Sequence, residues 1–395
     1  MRTADAPGGW LRTCALVAAA AAGLAVVTGA EGADSAHRAV AALAGPPLAA
    51  LLVAAFVAHR GLLAPTAATV LLLAAAASTP GAAHLALAAP AFASAAVLAA
   101  LTWRGTRVPA GVWRDYVTLT KPRIMTLLLL TGLCGAAVGA RGHPSASLLA
   151  TTFLGLGLAC GGAAALNHVL DRDIDRLMGP RTAARPVASG RISAPRALEF
   201  GLALSAASFT LLASTSNLLT ALLALAGNVF YVVVYTGYLK RRGPTNIVLG
   251  GVAGAVPALV GYAAATDSVA VPAIWLFVIV CLWTPPHFWA LALLLRDHYA
   301  RAAVPMLPVV RGEAVTVRRI VAYTLLLVAA TIVPAATGTF GNLYLIVASV
   351  LGLLFVTLAV RLLRSPTRRG AAGLFHYSLL YLALLFVAAA LDPLV

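Results

Sequence analysis

The residues best suited to chemistry lie in one polar run, ALNHVLDRDIDRLMGPRTAARP, residues 165–186. Asn167, Asp171 and Asp175 are spaced by four, so in a helix each side chain is rotated about 40° from the last and the three line one face over about 12 Å. Asp173 points the other way. Two carboxylates and an amide oxygen, without a Cys or His at metal-ligand spacing, form the oxygen-rich site that Mg²⁺ accepts.

Basic residues surround this acidic face. Magnesium keeps some waters and shares its remaining positions with substrate phosphates, and Arg and Lys side chains clamp phosphate anions. The run itself and the segment YLKRRG supply such cations: Arg172, Arg176, Arg181, Arg185, Lys240, Arg241 and Arg242. The combination predicts that a diphosphate binds at a membrane surface.

A second polar run, WTPPHFWALALLLRDHYARAAVPMLPVV, covers residues 283–310. Asp297 offers another oxygen ligand, with Arg296 and Arg301 beside it. His287 lies in an otherwise apolar stretch, where a buried polar group is costly unless it has a partner, so we expect it to be functional. The structural alternatives are an ion-paired helix end for the first run and a solvated loop residue for Asp297.

The composition places these runs in a membrane protein. Of the 395 residues, 61% are hydrophobic and only 10% are charged, against about 25% charged in soluble domains. The apolar stretches are long enough to cross a hydrocarbon core of about 30 Å, which excludes a soluble enzyme and a disordered protein. The net charge of +16 does not indicate nucleic acid as a partner, because the basic residues lie between apolar segments rather than on one folded surface.

The apolar windows predict an all-α, polytopic protein with thirteen spans. Four precede residue 105 and form a membrane block, 1–105; residues 106–121 form a cytoplasmic linker; and nine spans fill 122–395. Basic residues crowd alternate connections, which places the N-terminus and both polar runs on the cytoplasmic side and the C-terminus outside. The nine later spans are expected near 122–140, 147–168, 196–214, 217–236, 246–265, 271–293, 319–337, 342–362 and 374–392.

The spacing N-x-x-x-D-x-x-x-D resembles the first aspartate-rich motif of the intramembrane aromatic prenyltransferases. Four longer strings resemble the protohaem IX farnesyltransferase family, also called haem O synthases, over roughly residues 113–392. They are TKPRIMTLLLLTG (120–132), YTGYLKRRGPTNIVLGG (235–251), WTPPHFWALAL (283–293) and DHYARAAVPMLPVVRG (297–312).

The resemblance implies a nine-helix prenyltransferase bundle in the bacterial inner membrane. It also implies Mg²⁺-dependent transfer of farnesyl from farnesyl diphosphate to the vinyl group of haem B, giving haem O. Carried onto this chain, it places Mg²⁺ and catalysis at Asn167, Asp171, Asp175 and Asp297. The diphosphate would be neutralised by Lys121, Arg123, Arg181, Arg185, Lys240 and Arg241.

Two departures from the family pattern stand out. Relatives usually read Asp-Asp-Tyr where this chain has Asp297, His298 and Tyr299, and a neutral imidazole is a poor ligand for Mg²⁺. The stretch between Asp175 and Arg185 also has one extra residue.

Three histidines are expected to bind haem: His287 at the acceptor site, and His37 with His84 in the N-terminal block. His37 and His84 lie near the outer ends of the second and fourth spans, and two imidazoles at one depth can ligate one haem iron axially. The block resembles half of a haem A synthase, which implies a bis-His haem and haem A synthase as a partner. The alternative is that each histidine bonds a loop at the interface.

Two other functions fit part of the pattern. A prenyltransferase could act on a quinone precursor or a chlorophyll-like acceptor, although the longer strings favour haem. A transporter would also carry intramembrane carboxylates, but its charges should lie near the bilayer midplane. Here they lie at the helix ends.

Overall fold

The computed structural model describes residues 112–395, and within that range all regular structure is helical. Nine helices of this part are long and apolar enough to cross a membrane, as the hydropathy windows predict. His37 and His84, with the rest of block 1–105, lie outside the described residues. Haem binding there and the boundary of the block stay predictions.

The described chain begins with a short interfacial helix and then alternates between spans and polar connections. In chain order the helices are α1 Val112–Leu119, α2 Pro122–Gly139, α3 Ala146–Leu170, α4 Arg172–Met178, α5 Pro180–Ala183, α6 Ala194–Thr215, α7 Leu218–Arg242, α8 Asn246–Thr266, α9 Val271–Leu294, α10 Arg296–Arg301, α11 Leu307–Val310, α12 Gly312–Ala336, α13 Asn342–Arg364 and α14 Arg368–Leu391.

Three spans extend further into the polar end than the hydropathy windows predict. Helix α12 begins at Gly312 rather than near 319, α14 begins at Arg368 rather than near 374, and α7 continues to Arg242 rather than ending near 236. A hydropathy window stops where charges begin, whereas backbone hydrogen bonding continues into the interface. Long basic side chains there reach water while their stems stay against apolar surface.

Consecutive spans pack side by side, and α2 also contacts α8 and α14. At the α2–α8 contact the two backbones touch. A Cβ added at Gly261 would lie 1.8 Å from the Gly132 carbonyl oxygen, and one at Gly135 would lie 2.3 Å from the Ala258 oxygen. Small residues allow such close approach between membrane helices, so this contact fixes the depth of α2 against α8.

We expect Gly261→Ala to destabilise the protein strongly, by about 3 kcal/mol, because the added methyl overlaps backbone that cannot easily move aside. The matched control on the same helix is Gly254→Ala, whose new Cβ meets no atom within 4 Å. Thermal unfolding of both variants in detergent checks the expectation. Equal melting temperatures for the two would contradict it.

Apolar side chains cover the outer surface of the bundle. On α13, Ile346, Val350 and Leu353 are 62%, 63% and 71% exposed and lie on one helix face, as expected for a lipid-facing surface. Because the spans alternate in direction, the polar runs 171–193 and 295–311 and the basic end of α7 lie at the same end of the bundle.

Candidate active site

The acidic face predicted from sequence lies at the junction of α3 and α4. Asp171 separates the two helices, yet the i to i−4 bonding continues: its amide donates to the Asn167 carbonyl (2.9 Å), and the Asp175 amide donates to the Asp171 carbonyl (2.8 Å). All three side chains are buried, whereas Asp173 is exposed. The four-residue spacing therefore survives the break in the helix.

One oxygen of each buried carboxylate is paired. Asp171 Oδ2 accepts from Asn167 Nδ2 (2.8 Å) and from Lys240 Nζ (2.5 Å), and Asp175 Oδ1 accepts from Arg185 Nη1 (2.6 Å). Burial raises the pKa of Asp175, although Arg185 acts in the opposite direction. We call these three acidic-face residues, with Lys121, Arg185 and Lys240, the aspartate cluster.

The other oxygen of each carboxylate is buried without a partner. Asp171 Oδ1 and Asp175 Oδ2 make no hydrogen bond to any residue of the described range. Leaving a buried acceptor unpaired is costly, and more so when it is charged. The two oxygens therefore fit a site that is completed by a cation.

The donor set fits Mg²⁺ in particular. Within residues 112–395 no three His, Cys, Asp or Glu side chains lie close enough together to hold a metal by themselves. The oxygen donors at this site are therefore the carboxylates of Asp171 and Asp175 and the amide of Asn167. Magnesium is usually held in this way, by one or two carboxylates with substrate phosphates and water in the remaining positions.

Lys121 reaches the cluster through an unusual backbone conformation. It is the residue before α2, with φ 52° and ψ 55°, a left-handed conformation that costs a residue other than glycine on the order of 1 kcal/mol. Its Nζ donates to Asn167 Oδ1 at 2.5 Å. Burial, together with the positive charge of Arg185, lowers the pKa of Lys121 to about 7. Because burial and a neighbouring positive charge both disfavour the charged form of Lys121, a nearby anion would stabilise it.

Three of the predicted diphosphate residues lie outside the cluster. Arg241 binds Asp173 (2.7 Å) and the Leu170 carbonyl (2.8 Å) on the outer side, and its hydrogen bonds hold the pKa of Asp173 well below the usual range. Arg123 and Arg181 are exposed. Of the six predicted diphosphate residues, Lys121, Arg185 and Lys240 are the ones that hydrogen-bond to Asn167, Asp171 or Asp175.

Thr236 is a member of the site that the sequence did not predict. Its hydroxyl accepts a hydrogen bond from Asn167 Nδ2 (3.0 Å). The Asn167 amide thus donates to Thr236 and Asp171 through Nδ2 and accepts from Lys121 through Oδ1. Thr236 lies in a π-helical stretch of α7, Phe230–Leu239, which leads directly to Lys240. Such stretches are rare and often occur at functional sites, but no sequence pattern predicts them.

Asp297, predicted as a metal ligand, lies outside the cluster. Successive positions on α10 differ by about 100°, so only one of Asp297 and His298 can face α4. His298 does: its Nδ1 is 2.5 Å from the Met178 carbonyl oxygen. Asp297 instead lines a separate cavity with Arg296, Glu313 and Arg368.

The two departures from the family pattern lie at this contact: His298, which replaces the usual aspartate, and the longer stretch between Asp175 and Arg185, which contains Gly179. A Cβ at Gly179 would lie 2.9 Å from His298 Nδ1, so glycine allows the approach. Arg301 Nη2 lies 2.6 Å from the same nitrogen. The second polar run thus packs onto the end of α4 through His298.

His287 lies apart from the cluster, within the membrane span α9. It is buried between Trp283 and Phe375, with ring centroids 4.3 Å and 4.8 Å from its own, and its Nδ1 is 2.7 Å from Ser378 Oγ. Seven residues separate it from the polar end of α9, which is about 10 Å along the helix axis.

Known proteins share this sequence over most of the described range. The model of the UbiA prenyltransferase family matches residues 128–387. The protoheme IX farnesyltransferase of Symbiobacterium thermophilum is 51% identical over 283 residues, which cover 71% of this chain and 94% of that protein. The protoheme IX farnesyltransferase of Roseiflexus castenholzii is 51% identical over 279 residues, or 71% of this chain. The chain spans about half of that longer relative, 52%.

Solved structures share the fold at low identity. A structure described as digeranylgeranylglyceryl phosphate synthase has a TM-score of 0.60 and 20% identity, covering 71% of this chain and 98% of that one. A UbiA homologue from Archaeoglobus fulgidus bound to DMAPP and Mg²⁺ has a TM-score of 0.51 and 18% identity, covering 70% and 99%. From the helical bundle, the aspartate cluster and these similarities together, we conclude that the chain belongs to the UbiA prenyltransferase family.

Proposed function

We propose that this protein transfers the farnesyl group of farnesyl diphosphate to the vinyl group of haem B and so makes haem O. The observation that carries the proposal is the pair of buried, unpartnered oxygens on Asp171 and Asp175 beside three cations. That arrangement suits a magnesium diphosphate. The names of the relatives and the WTPPHFWALAL string support haem as the acceptor.

Asp171 and Asp175, with Asn167, would hold Mg²⁺. When bound, the metal supplies positive charge that stabilises the diphosphate as a leaving group. Metal and DMAPP bound together in the Archaeoglobus homologue support this assignment.

The cations of the chain bind and stabilise the leaving group. Lys121, Arg185 and Lys240 are held in place by hydrogen bonds to the acidic face. Charges that are already positioned stabilise the negative charge that develops as the allylic C–O bond breaks, without the cost of reorganising solvent. These residues would orient the diphosphate at the polar end of the bundle.

Carbon–carbon bond formation needs no protein nucleophile. The vinyl group of haem B supplies the electron pair that bonds to C1 of the farnesyl cation, and the resulting cation takes up water and releases a proton, leaving a hydroxyl group. Farnesyl diphosphate, haem B and water thus give haem O, diphosphate and a proton. The apolar spans keep water from the farnesyl cation until the new bond has formed.

We place the haem beside His287, below the aspartate cluster. This depth suits an apolar acceptor whose reacting group must meet the farnesyl chain in the hydrocarbon region. The basic connections support an inner-membrane protein with its diphosphate site on the cytoplasmic side. Coordination of a second haem by His37 and His84, and transfer of the product to haem A synthase, rest on the sequence of the N-terminal block.

The proposal is tested by incubating purified protein with Mg²⁺, haem B and farnesyl diphosphate and analysing the haem by mass spectrometry. We expect a haem that carries a hydroxyethylfarnesyl group, no product in EDTA, and recovery when Mg²⁺ is restored in excess. Prenylation of a quinone precursor with no haem product would keep the donor site and refute the acceptor. Ion-coupled uptake into vesicles without any prenylated product would favour a transporter.

A further inference from the structure

The hydrogen bonds around His287 determine which of its ring nitrogens is free. Ser378, on the neighbouring helix α14, is fully buried, and its Oγ lies 2.7 Å from the Phe375 carbonyl oxygen and 2.7 Å from His287 Nδ1. A hydroxyl has one proton, and a carbonyl oxygen can only accept. The Ser378 proton is therefore donated to Phe375, and the hydroxyl must accept a proton from the imidazole.

The imidazole is consequently protonated on Nδ1 and carries its lone pair on Nε2. Within residues 112–395, the side-chain hydrogen bond that His287 makes is through Nδ1. A neutral imidazole with one nitrogen donating to a fixed acceptor and the other free is the form in which histidine binds metals.

The surroundings hold the ring in one orientation. The rings of Trp283 and Phe375 lie nearly parallel to the imidazole on its two faces, at interplanar angles of 16° and 24°. The indole Nε1 of Trp283 donates to the Ser378 carbonyl at 2.7 Å, which ties α9 to α14 at this depth. Turning the ring out of this plane would break both stacking contacts. A half-turn within the plane would break the hydrogen bond between Nδ1 and Ser378.

We infer that Ser378 is a positioning residue that fixes the Nδ1–H form of His287, so that Nε2 serves as the axial ligand of the haem iron. The inference rests on the proposed function for the identity of the acceptor. It goes further in assigning the iron ligand, the ligating atom and the residue that sets it.

The test titrates ferrous haem into the purified full-length protein and records absorption and resonance Raman spectra. We expect an Fe–histidine stretching band in the unaltered protein and its loss in His287→Ala. In Ser378→Ala the band should move to lower frequency, because the imidazole loses the acceptor that makes it more electron-rich, and haem affinity should fall about tenfold, as for other residues that orient a metal ligand. The matched control is Ser208→Ala, which deletes another buried helical hydroxyl that donates to a backbone carbonyl, Gly155 O at 2.7 Å.

A Ser378→Ala protein with an unchanged band and unchanged affinity would overturn the inference, as would a band that persists in His287→Ala. The frequency of the band separates orientation from general damage, because loss of folding would remove the band rather than shift it. Haem O formation by the unaltered protein is measured separately. If haem O forms while Ser378→Ala behaves as the parent, the inference fails alone; if haem binds through His287 but no haem O forms, the proposed function fails.

Discussion

Asn in place of Asp171 or Asp175 is expected to lower farnesyl transfer by about a thousandfold or more, equivalent to about 4 kcal/mol in the transition state. Each substitution removes the negative charge of one carboxylate. The second oxygen of that carboxylate is buried without a partner and is therefore well placed to bind a cation. Product formation by mass spectrometry under single-turnover conditions measures the loss. Haem binding, followed by absorption, should persist because His287 lies elsewhere.

The matched control for both substitutions is Asp173→Asn. Asp173 lies in α4, two residues from each of them, but it faces outward, is 58% exposed and is paired with Arg241. Exposed pairs of this kind contribute at most about 1 kcal/mol, so turnover should stay within a few-fold of the parent. Turnover above one tenth of the parent in Asp171→Asn and in Asp175→Asn would refute the metal assignment.

Lys240→Gln is expected to reduce both turnover and stability. The Lys240 side chain is 13% exposed, and its partner Asp171 is 1% exposed. Removing one member of such a buried pair leaves the other charge uncompensated, which typically costs about 3 kcal/mol or more. Loss of a fixed cation at the leaving group should lower turnover by about a hundredfold. Thermal unfolding and single-turnover transfer measure the two effects.

Two further variants separate the effects of Lys240. Arg241→Gln alters the neighbouring, exposed cation and should leave turnover and melting temperature close to the parent values. The double variant Asp171→Asn with Lys240→Gln removes both buried charges, so stability should recover in part while transfer stays absent. If Lys240→Gln transferred farnesyl at the parental rate, Lys240 would have no part in binding the diphosphate.

The sequence predicts the site where the backbone keeps the helical repeat that places residues i and i+4 on one face. The common face of Asn167, Asp171 and Asp175 could be predicted because the i to i−4 bonds continue through the break at Asp171. The pairing of each carboxylate with a particular cation could not be predicted, since Lys121 and Lys240 come from distant segments. Nine spans could be predicted because hydropathy determines which segments can lie in lipid.

Two other features of the site did not follow from that period. The i to i−4 bonds also continue past the end of α9, from the Leu295 amide to the Leu291 carbonyl and from the Tyr299 amide to the Leu295 carbonyl. What the period could not tell is whether α10 turns Asp297 or His298 toward the first polar run, because that depends on how α10 packs against α4. Thr236 was missed because it lies in the π-helical stretch of α7, where more residues fill each turn than in an α-helix. Its direction relative to Lys240 therefore does not follow the usual spacing.

The two halves of the described bundle contribute different parts of the proposed reaction. The aspartate cluster is built entirely from residues 121–240, whereas His287 and Ser378 belong to α9 and α14. Substitutions that change the acceptor can therefore accumulate in the later helices while the donor chemistry stays intact. Such a division would allow one ancestral bundle to diversify toward new acceptors by drift and selection in one half alone, consistent with the use of one fold for several reactions.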